Sequence, residues 1–155
     1  MIFQMMMISE IPNKKAGIRG GLMKNKFMQY EFWEDRILEA SDGDVGLWQI
    51  LSEVRSIFPK ANEQERKVIT LEIVREYLNS GFIELAMLEY NNDNKLEFKI
   101  CDLDIDSAIH RIDREWSELG TEPSIGDIAY LITTDKGDQE ADRISQRTKE
   151  HSESD

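Results

Sequence analysis

Cysteine, histidine and long apolar runs are scarce in this 155-residue chain, and each scarcity excludes a class of protein. The single cysteine, Cys101, cannot form an internal disulfide or supply a multi-cysteine zinc or iron–sulfur site. The two histidines, His110 and His151, are too few for catalysis that needs several imidazoles. No segment approaches the ~20 apolar residues that cross a bilayer, so we expect no membrane association and a cytoplasmic location.

Motifs for common enzyme chemistry are also missing from the sequence. It contains no glycine-rich phosphate loop, no serine nucleophile elbow and no HExxH zinc motif. We therefore expect a protein without enzymatic activity, without a cofactor and without a resident metal ion.

Basic residues are few, because 31 Asp and Glu outnumber 19 Lys and Arg and give a net charge of −12. Residues 1–28 carry five basic residues against Glu10 alone, which leaves a charge of −16 on the remaining 127 residues. So acidic a surface repels nucleic acid phosphates and attracts basic macromolecules. The charge therefore favours a basic protein partner over nucleic acid, although solubility alone would also explain it.

Residues 1–27 differ from the rest of the chain and are predicted to be a flexible extension or a mis-assigned start. Their apolar beginning, residues 1–8, follows no positive residue and precedes no small-residue cleavage site, unlike a secretory signal. The sequence leaves Met1, Met23 and Met28 open as the true first residue.

Residues 28–137 are predicted to form one globular domain of the α+β class. Apolar residues at helical spacing predict three helices, over about 28–40, 47–58 and 63–78. A capping box formed by Asn62 and Glu65 marks the start of the third helix, and Gly81 marks its end.

A β-hairpin and a fourth helix are predicted to follow. Alternating apolar residues predict two strands over 82–90 and 96–100, joined by a turn at 91–94. The inserted fourth helix begins at an Asp104 N-cap and ends at Gly120, and a short returning strand covers 128–133. The polar residues 138–155 are predicted to be a charged, mostly disordered tail.

Three helices followed by a hairpin resemble a winged-helix domain, over about residues 45–90 and 128–140. The run LNSGFIEL at 78–85 is similar to the junction between the third helix and the wing, and LITTDKG at 131–137 is similar to the end of the wing. The resemblance implies that the third helix enters the DNA major groove. That helix carries three basic residues against four acidic ones, whereas groove reading favours a positive or neutral face.

The segment 102–118 and one tryptophan are the candidate partner-binding groups. This segment contains six carboxylates and only two arginines. The carboxylates are predicted to contact a basic partner: Asp102, Asp104, Asp106, Asp113, Glu115 and Glu118. Trp33 is predicted to be an exposed aromatic anchor, whereas Trp48 and Trp116 are predicted to lie in the core.

The same segment permits two other interpretations. Asp102, Asp104 and Asp106 imitate the start of a calcium loop, but Ser107 stands where that loop needs glycine, so helix capping is the simpler role. Cys101, His110 and Asp113 contain the residue types of a nucleophile, a base and an orienting acid. A surface pair on one helix turn explains the last two more simply.

Two functional hypotheses follow from the sequence. The first is a small acidic binding protein that docks on a basic partner, as immunity proteins and antitoxins do against toxins. The second is a winged-helix regulator that binds DNA through residues 14–26 and the hairpin residues Lys95 and Lys99. The oligomeric state and the identity of the partner remain open.

Overall fold

The computed structural model describes residues 27–153, so the prediction of a flexible extension or mis-assigned start over residues 1–27 lies outside it except at its last residue. Phe27 contradicts that prediction, because its side chain is buried in the core and its backbone N–H donates to Glu76 Oε2 at 3.3 Å. These residues form an α+β fold with five helices and a four-stranded antiparallel sheet. None of the described helices has the length and apolarity needed to cross a membrane. In chain order the elements are α1 Glu31–Asp42, β1 Val45–Gly46, α2 Leu47–Ile57, α3 Glu63–Ser80, β2 Ile83–Tyr90, β3 Leu96–Ile100, α4 Ile105–Leu119, β4 Ala129–Thr133 and α5 Asp135–Glu153.

Helix ends lie where the capping residues predict them. Asn62 Oδ1 accepts the Glu65 N–H at 2.9 Å, and Glu65 Oε1 accepts the Asn62 N–H at 2.7 Å. The Asp104 carboxylate likewise accepts a backbone N–H three residues later, at 2.8 Å. Gly81 and Gly120 adopt left-handed φ values of 80° and 76°, which glycine reaches without strain. These caps confirm the predicted bounds of α3 and α4.

The sheet has the strand order β1-β4-β2-β3, so the predicted hairpin forms and β4 pairs with its inner strand. β1, a two-residue strand that the sequence did not predict, pairs with β4. Leu85, Met87 and Leu131 point to the face of the sheet that packs in the core. Alternate residues point the other way, which places Leu88 and Phe98 together on the opposite face.

The polar C-terminal segment folds, contrary to the prediction of a mostly disordered tail. Residues 135–153 form the helix α5, and its two aliphatic residues, Ala141 and Ile144, are buried. Arg143 and Arg147 lie one turn apart on α5 and both pair with Glu34 of α1. A narrow apolar stripe therefore suffices here, because α1 supplies a matching surface. The globular domain accordingly continues past residue 137.

The junction between β4 and α5 is tightly held against the end of α3. Thr134 Oγ1 donates to Gly81 O at 2.6 Å and accepts the Gly137 N–H at 3.0 Å. The Thr134 N–H also donates to Phe82 O at 3.0 Å. This contact brings Gly137 so close that a Cβ atom there would lie 2.0 Å from Phe82 O. The close approach explains why glycine stands at this position in a helix.

Glu122, in the loop between α4 and β4, holds two other helices together. Its carboxylate accepts hydrogen bonds from Arg55 of α2 at 3.0 Å and from Arg66 of α3 at 2.9 and 3.1 Å. The hydrogen bonds from Arg66 are the main reason that the pKa of Glu122 lies below its ordinary value of 4.5. The loop is thereby fixed to the helical layer.

We expect Glu122→Gln to lower the free energy of unfolding by about 1–2 kcal/mol at neutral pH, because it removes a charge-assisted, half-buried contact. The folded carboxyl binds a proton less readily than the unfolded one. Its stabilisation is therefore present above pH 4.5 and disappears as the pH falls through the lower folded-state pKa. Urea unfolding of both proteins between pH 7 and about pH 3 measures the difference.

Glu118→Gln is the matched control, because its partner Arg114 and Glu118 itself are both exposed. We expect that control to change stability by less than about 0.5 kcal/mol at any pH. If Glu122→Gln lowers the free energy of unfolding by the same amount near pH 3 as at pH 7, the charge of Glu122 is not the cause of the loss.

Candidate functional site

The acid-dense segment 102–118 lies before and along α4, and most of its carboxylates already have cationic partners. Two ion pairs join it to α3, from Asp106 to Arg75 and from Asp113 Oδ1 to Lys67 Nζ at 2.7 Å. The other pairs lie within α4, and they join Glu115 to Arg111 at 2.8 Å and Glu118 to Arg114 at 3.6 Å. A basic partner would have to displace these cations, which makes the segment a weaker docking surface than its sequence suggests.

The first two carboxylates of that segment have different environments. Asp104 caps α4, and hydrogen bonds from the backbone and side chain of Ser107 lower its pKa. Asp102 is exposed and forms no ion pair with the described part of the chain. Between residues 27 and 150, no group of three or more His, Cys, Asp or Glu is placed to hold a metal ion. Asp104 therefore has the capping role that the sequence offered as the simpler one.

Trp33 lies in the core, so the prediction of an exposed anchor was wrong. Its side chain is 2% exposed and stacks on the Tyr77 ring of α3, with ring centroids 4.0 Å apart and planes 7° apart. The Tyr77 hydroxyl donates to the carbonyl oxygen of Trp33 at 3.0 Å. Burial is the main reason that the pKa of Tyr77 is raised well above its ordinary value. Trp33 therefore joins α1 to α3 and is not available to a partner.

Of the two tryptophans predicted to lie in the core, only one is buried. Trp116 of α4 is buried, as predicted. Trp48 at the start of α2 is only half-buried, and its ring lies over Gly46, where a Cβ atom would be 2.5 Å away. The sequence shows only that Trp33 and Trp48 lie on predicted helices. The contact of Trp33 with Tyr77 of α3, which buries Trp33, depends on tertiary packing and could not be predicted from the sequence.

A second acidic surface, which we name the α1/α5 cleft, lies between α1 and α5. It is a shallow, open depression of about 590 Å³ with Leu38 and Ala141 among its lining residues. Four carboxylates line it, three from α1 and one from α5: Asp35, Glu39, Asp42 and Asp142. Among them, Asp35, Asp42 and Asp142 are exposed and form no ion pair with any described residue.

The single cationic side chain that lines the α1/α5 cleft is already neutralised. Arg36 binds Glu53 of α2 at 3.1 Å and Glu39 at 3.2 Å, so two carboxylates share its charge. Beside the cleft, Asp138 accepts hydrogen bonds from Thr133 at 2.6 Å and Ser41 at 2.8 Å, which lower its pKa. The cleft is therefore anionic at neutral pH. Its chemistry suits arginine or lysine side chains, which donate hydrogen bonds to carboxylates.

Sequence reasoning missed the α1/α5 cleft because its far wall, α5, was predicted to be disordered. One signal was available, since Asp35, Glu39 and Asp42 are spaced by four and three residues and share a face of a helix. The spacing could have identified an acidic helix face. It could not have placed Asp142 opposite that face, because about 100 residues separate the two helices.

No protein-family model, no curated protein and no solved structure matches this chain.

Proposed function

We propose that this domain is a non-enzymatic binding protein that recognises a basic surface on a partner protein through the α1/α5 cleft. The observation that carries the proposal is the group of three exposed carboxylates, Asp35, Asp42 and Asp142, without a cationic partner among the described residues. The biological setting would be that of an immunity protein or antitoxin, which inhibits a basic partner by covering it. The location would be cytoplasmic.

Free carboxylates make better docking groups than the paired carboxylates of α4. An incoming arginine at the cleft forms charge-assisted hydrogen bonds without breaking existing ones. At α4 it would first have to displace Lys67 from Asp113 or Arg75 from Asp106. The surplus negative charge of the domain would also speed the encounter with a basic partner and make it sensitive to salt.

We expect the triple substitution Asp35→Asn, Asp42→Asn and Asp142→Asn to weaken binding of a fluorescein-labelled nona-arginine peptide by about tenfold or more at 50 mM salt. Each change removes one carboxylate from the cleft and preserves its size. Fluorescence anisotropy measures the dissociation constant, and the peptide is a probe for a basic protein surface.

A matched triple variant controls for total charge. Glu63→Gln, Asp93→Asn and Asp102→Asn remove the same three charges from exposed positions outside the cleft lining. We expect this control to weaken binding by less than about threefold, as diffuse electrostatics predicts. Equal losses in the two triple variants would contradict a localised site, and unchanged binding in both would contradict the proposed function.

DNA binding by a winged-helix domain is the alternative proposal. The hairpin of β2 and β3 that follows α3 favours it, together with exposed Lys95 in the hairpin turn. Against it, the basic residues of α3 are engaged: Arg66 with Glu122, Lys67 with Asp113 and Arg75 with Asp106. Retardation of a DNA duplex in a gel at moderate salt, lost as salt rises, would favour this alternative over the protein binder.

A further inference from the structure

Strand β3 forms an open edge of the sheet and carries apolar side chains. It pairs with β2 on one side, and no strand of the described chain pairs with its other side. Three of its five residues are large, apolar and exposed, with fractions of 53% for Leu96, 49% for Phe98 and 58% for Ile100. An edge of this kind is a template for pairing with another strand.

The backbone groups of β3 that point outward can be identified from its pairing with β2. At the two ends of the strand, Asn91 N donates to Lys95 O and Cys101 N donates to Leu85 O, both at 2.8 Å. Hydrogen-bonded positions alternate along an antiparallel ladder, so the odd-numbered residues of β3 direct their backbone groups to β2. Residues 96, 98 and 100 therefore direct their N–H and C=O groups to the open edge.

We infer that β3 is the interface of a homodimer in which two copies pair antiparallel about a twofold axis at Phe98. Phe98 faces Phe98 of the second copy, and Leu96 faces Ile100. All three of these positions have outward backbone groups, so the pairing forms six interchain hydrogen bonds. The two four-stranded sheets join into one of eight strands.

The charges on β3 favour this register over its neighbours. They also favour a second copy of the chain as the strand that pairs with β3. Glu97 and Lys99 both point to the opposite face from Phe98, and in the centred register each Glu97 faces Lys99 of the other copy. A shift by two residues in one direction places Glu97 opposite Glu97, and a shift in the other direction places Lys99 opposite Lys99. The five-residue strand is thus complementary in charge to itself, which is what an isologous interface requires.

The exposed apolar side chains also gain cover in this arrangement. Phe98 stands on the same face as Tyr130, with ring centroids 4.7 Å apart at right angles, and Tyr90 and Leu96 continue that face. Pairing through β3 places the same row of apolar side chains from the second copy beside this row. This inference does not use the α1/α5 cleft, so it stands or falls independently of the proposed function.

Charge reversal on β3, followed by mixing, tests the inferred dimer. Sedimentation equilibrium of the full chain is expected to show a monomer–dimer equilibrium. Glu97→Lys and Lys99→Glu are each expected to raise the dimer dissociation constant by about tenfold or more, because each places like charges opposite each other. An equimolar mixture of the two variants is expected to associate again, since Lys then faces Glu at both positions. The double variant carrying both reversals is expected to dimerise like the original chain.

Asp93→Lys is the control, because it changes the charge by the same amount in the exposed hairpin turn without facing β3 of the second copy. It is expected to leave the dissociation constant within about threefold of the original. Circular dichroism of every variant checks the fold. We expect it to be unchanged, because the contacts of Glu97 with Asn91 and of Lys99 with Glu89 are exposed. A chain that is monomeric up to about 1 mM overturns the inference. So does a dimer that both reversals leave intact, or a failure of the two variants to associate when mixed.

Discussion

Replacing Gly137 with alanine is expected to destabilise the protein by about 3 kcal/mol, because the added methyl group would overlap the backbone of residue 82. The new Cβ atom would lie 2.0 Å from Phe82 O and 2.9 Å from Phe82 C. Neither atom can move away as a side chain could, since Phe82 O also accepts the Thr134 N–H. The expected sign is the reverse of the usual one, because alanine normally stabilises a helix interior relative to glycine.

Urea unfolding of Gly137→Ala, followed by tryptophan fluorescence, measures this loss. Gln139→Ala is the control on the same helix, since residue 139 is exposed and alanine is the better helix former. We expect the control to stay within about 0.5 kcal/mol of the original protein. A Gly137→Ala protein as stable as the control would mean that α5 does not approach residue 82 as closely as described.

Trp33→Ala is expected to cost about 3–5 kcal/mol, because it removes a large buried ring and leaves a cavity against Tyr77. The stacked pair joins α1 to α3, and the Tyr77 hydroxyl bonds to the backbone of α1 in the same region. Small domains are stable by only about 5–15 kcal/mol, so a large part of the stability is at stake. We expect a marked fall in the urea midpoint with little change in slope.

Trp48→Ala is the matched comparison, since Trp48 is only half-buried beside Gly46. We expect it to cost less than about 2 kcal/mol, in proportion to the apolar area that it covers. Comparison of the two variants also distinguishes a core role of Trp33 from a role as an exposed anchor. If Trp33→Ala kept the original midpoint and lost only partner binding, the sequence-based interpretation of Trp33 as an exposed anchor would be correct after all.

Local signals in the sequence predict most of the elements of this fold. Asn62, Asp104, Gly81 and Gly120 mark helix ends because their caps depend on neighbours within four residues, and such contacts are readable from spacing. The hairpin can be predicted for the same reason, since its alternating apolar residues and its turn are local features of the sequence. The strand order is different, because the pairing of β1 with β4 depends on residues that lie far apart in the chain.

The inward face of α3 shows where periodicity stops being decisive. Four apolar residues of α3 share one face by spacing, yet of Val68, Leu71, Val74 and Leu78 only Val74 is buried. Ile69 and Tyr77, which lie beside that face, are buried as well. This helix packs against α2, α4 and the sheet, so apolar residues occur on more than one of its faces. With apolar residues around most of the helix, spacing cannot decide which side faces the centre of the core.

The candidate site could not be predicted because it depends on tertiary contacts. The acidic segment 102–118 was predicted from charge density, yet Lys67 and Arg75 of α3 neutralise part of it after folding. The α1/α5 cleft requires Asp142 to lie opposite Asp35 and Asp42. The sequence of α5 contains only two aliphatic residues, too few to indicate a helix that packs on another one.

The packing of α5 against α1 has a consequence for the order of events during synthesis. Glu34 and Ser41 of α1 find their partners Arg147 and Asp138 only after about 100 further residues have been made. Contacts of such wide separation are slow to form and cannot form before α5 leaves the ribosome. The nascent chain therefore has no α1/α5 cleft until α5 has been synthesised, and a partner that depends on the cleft cannot bind before that point.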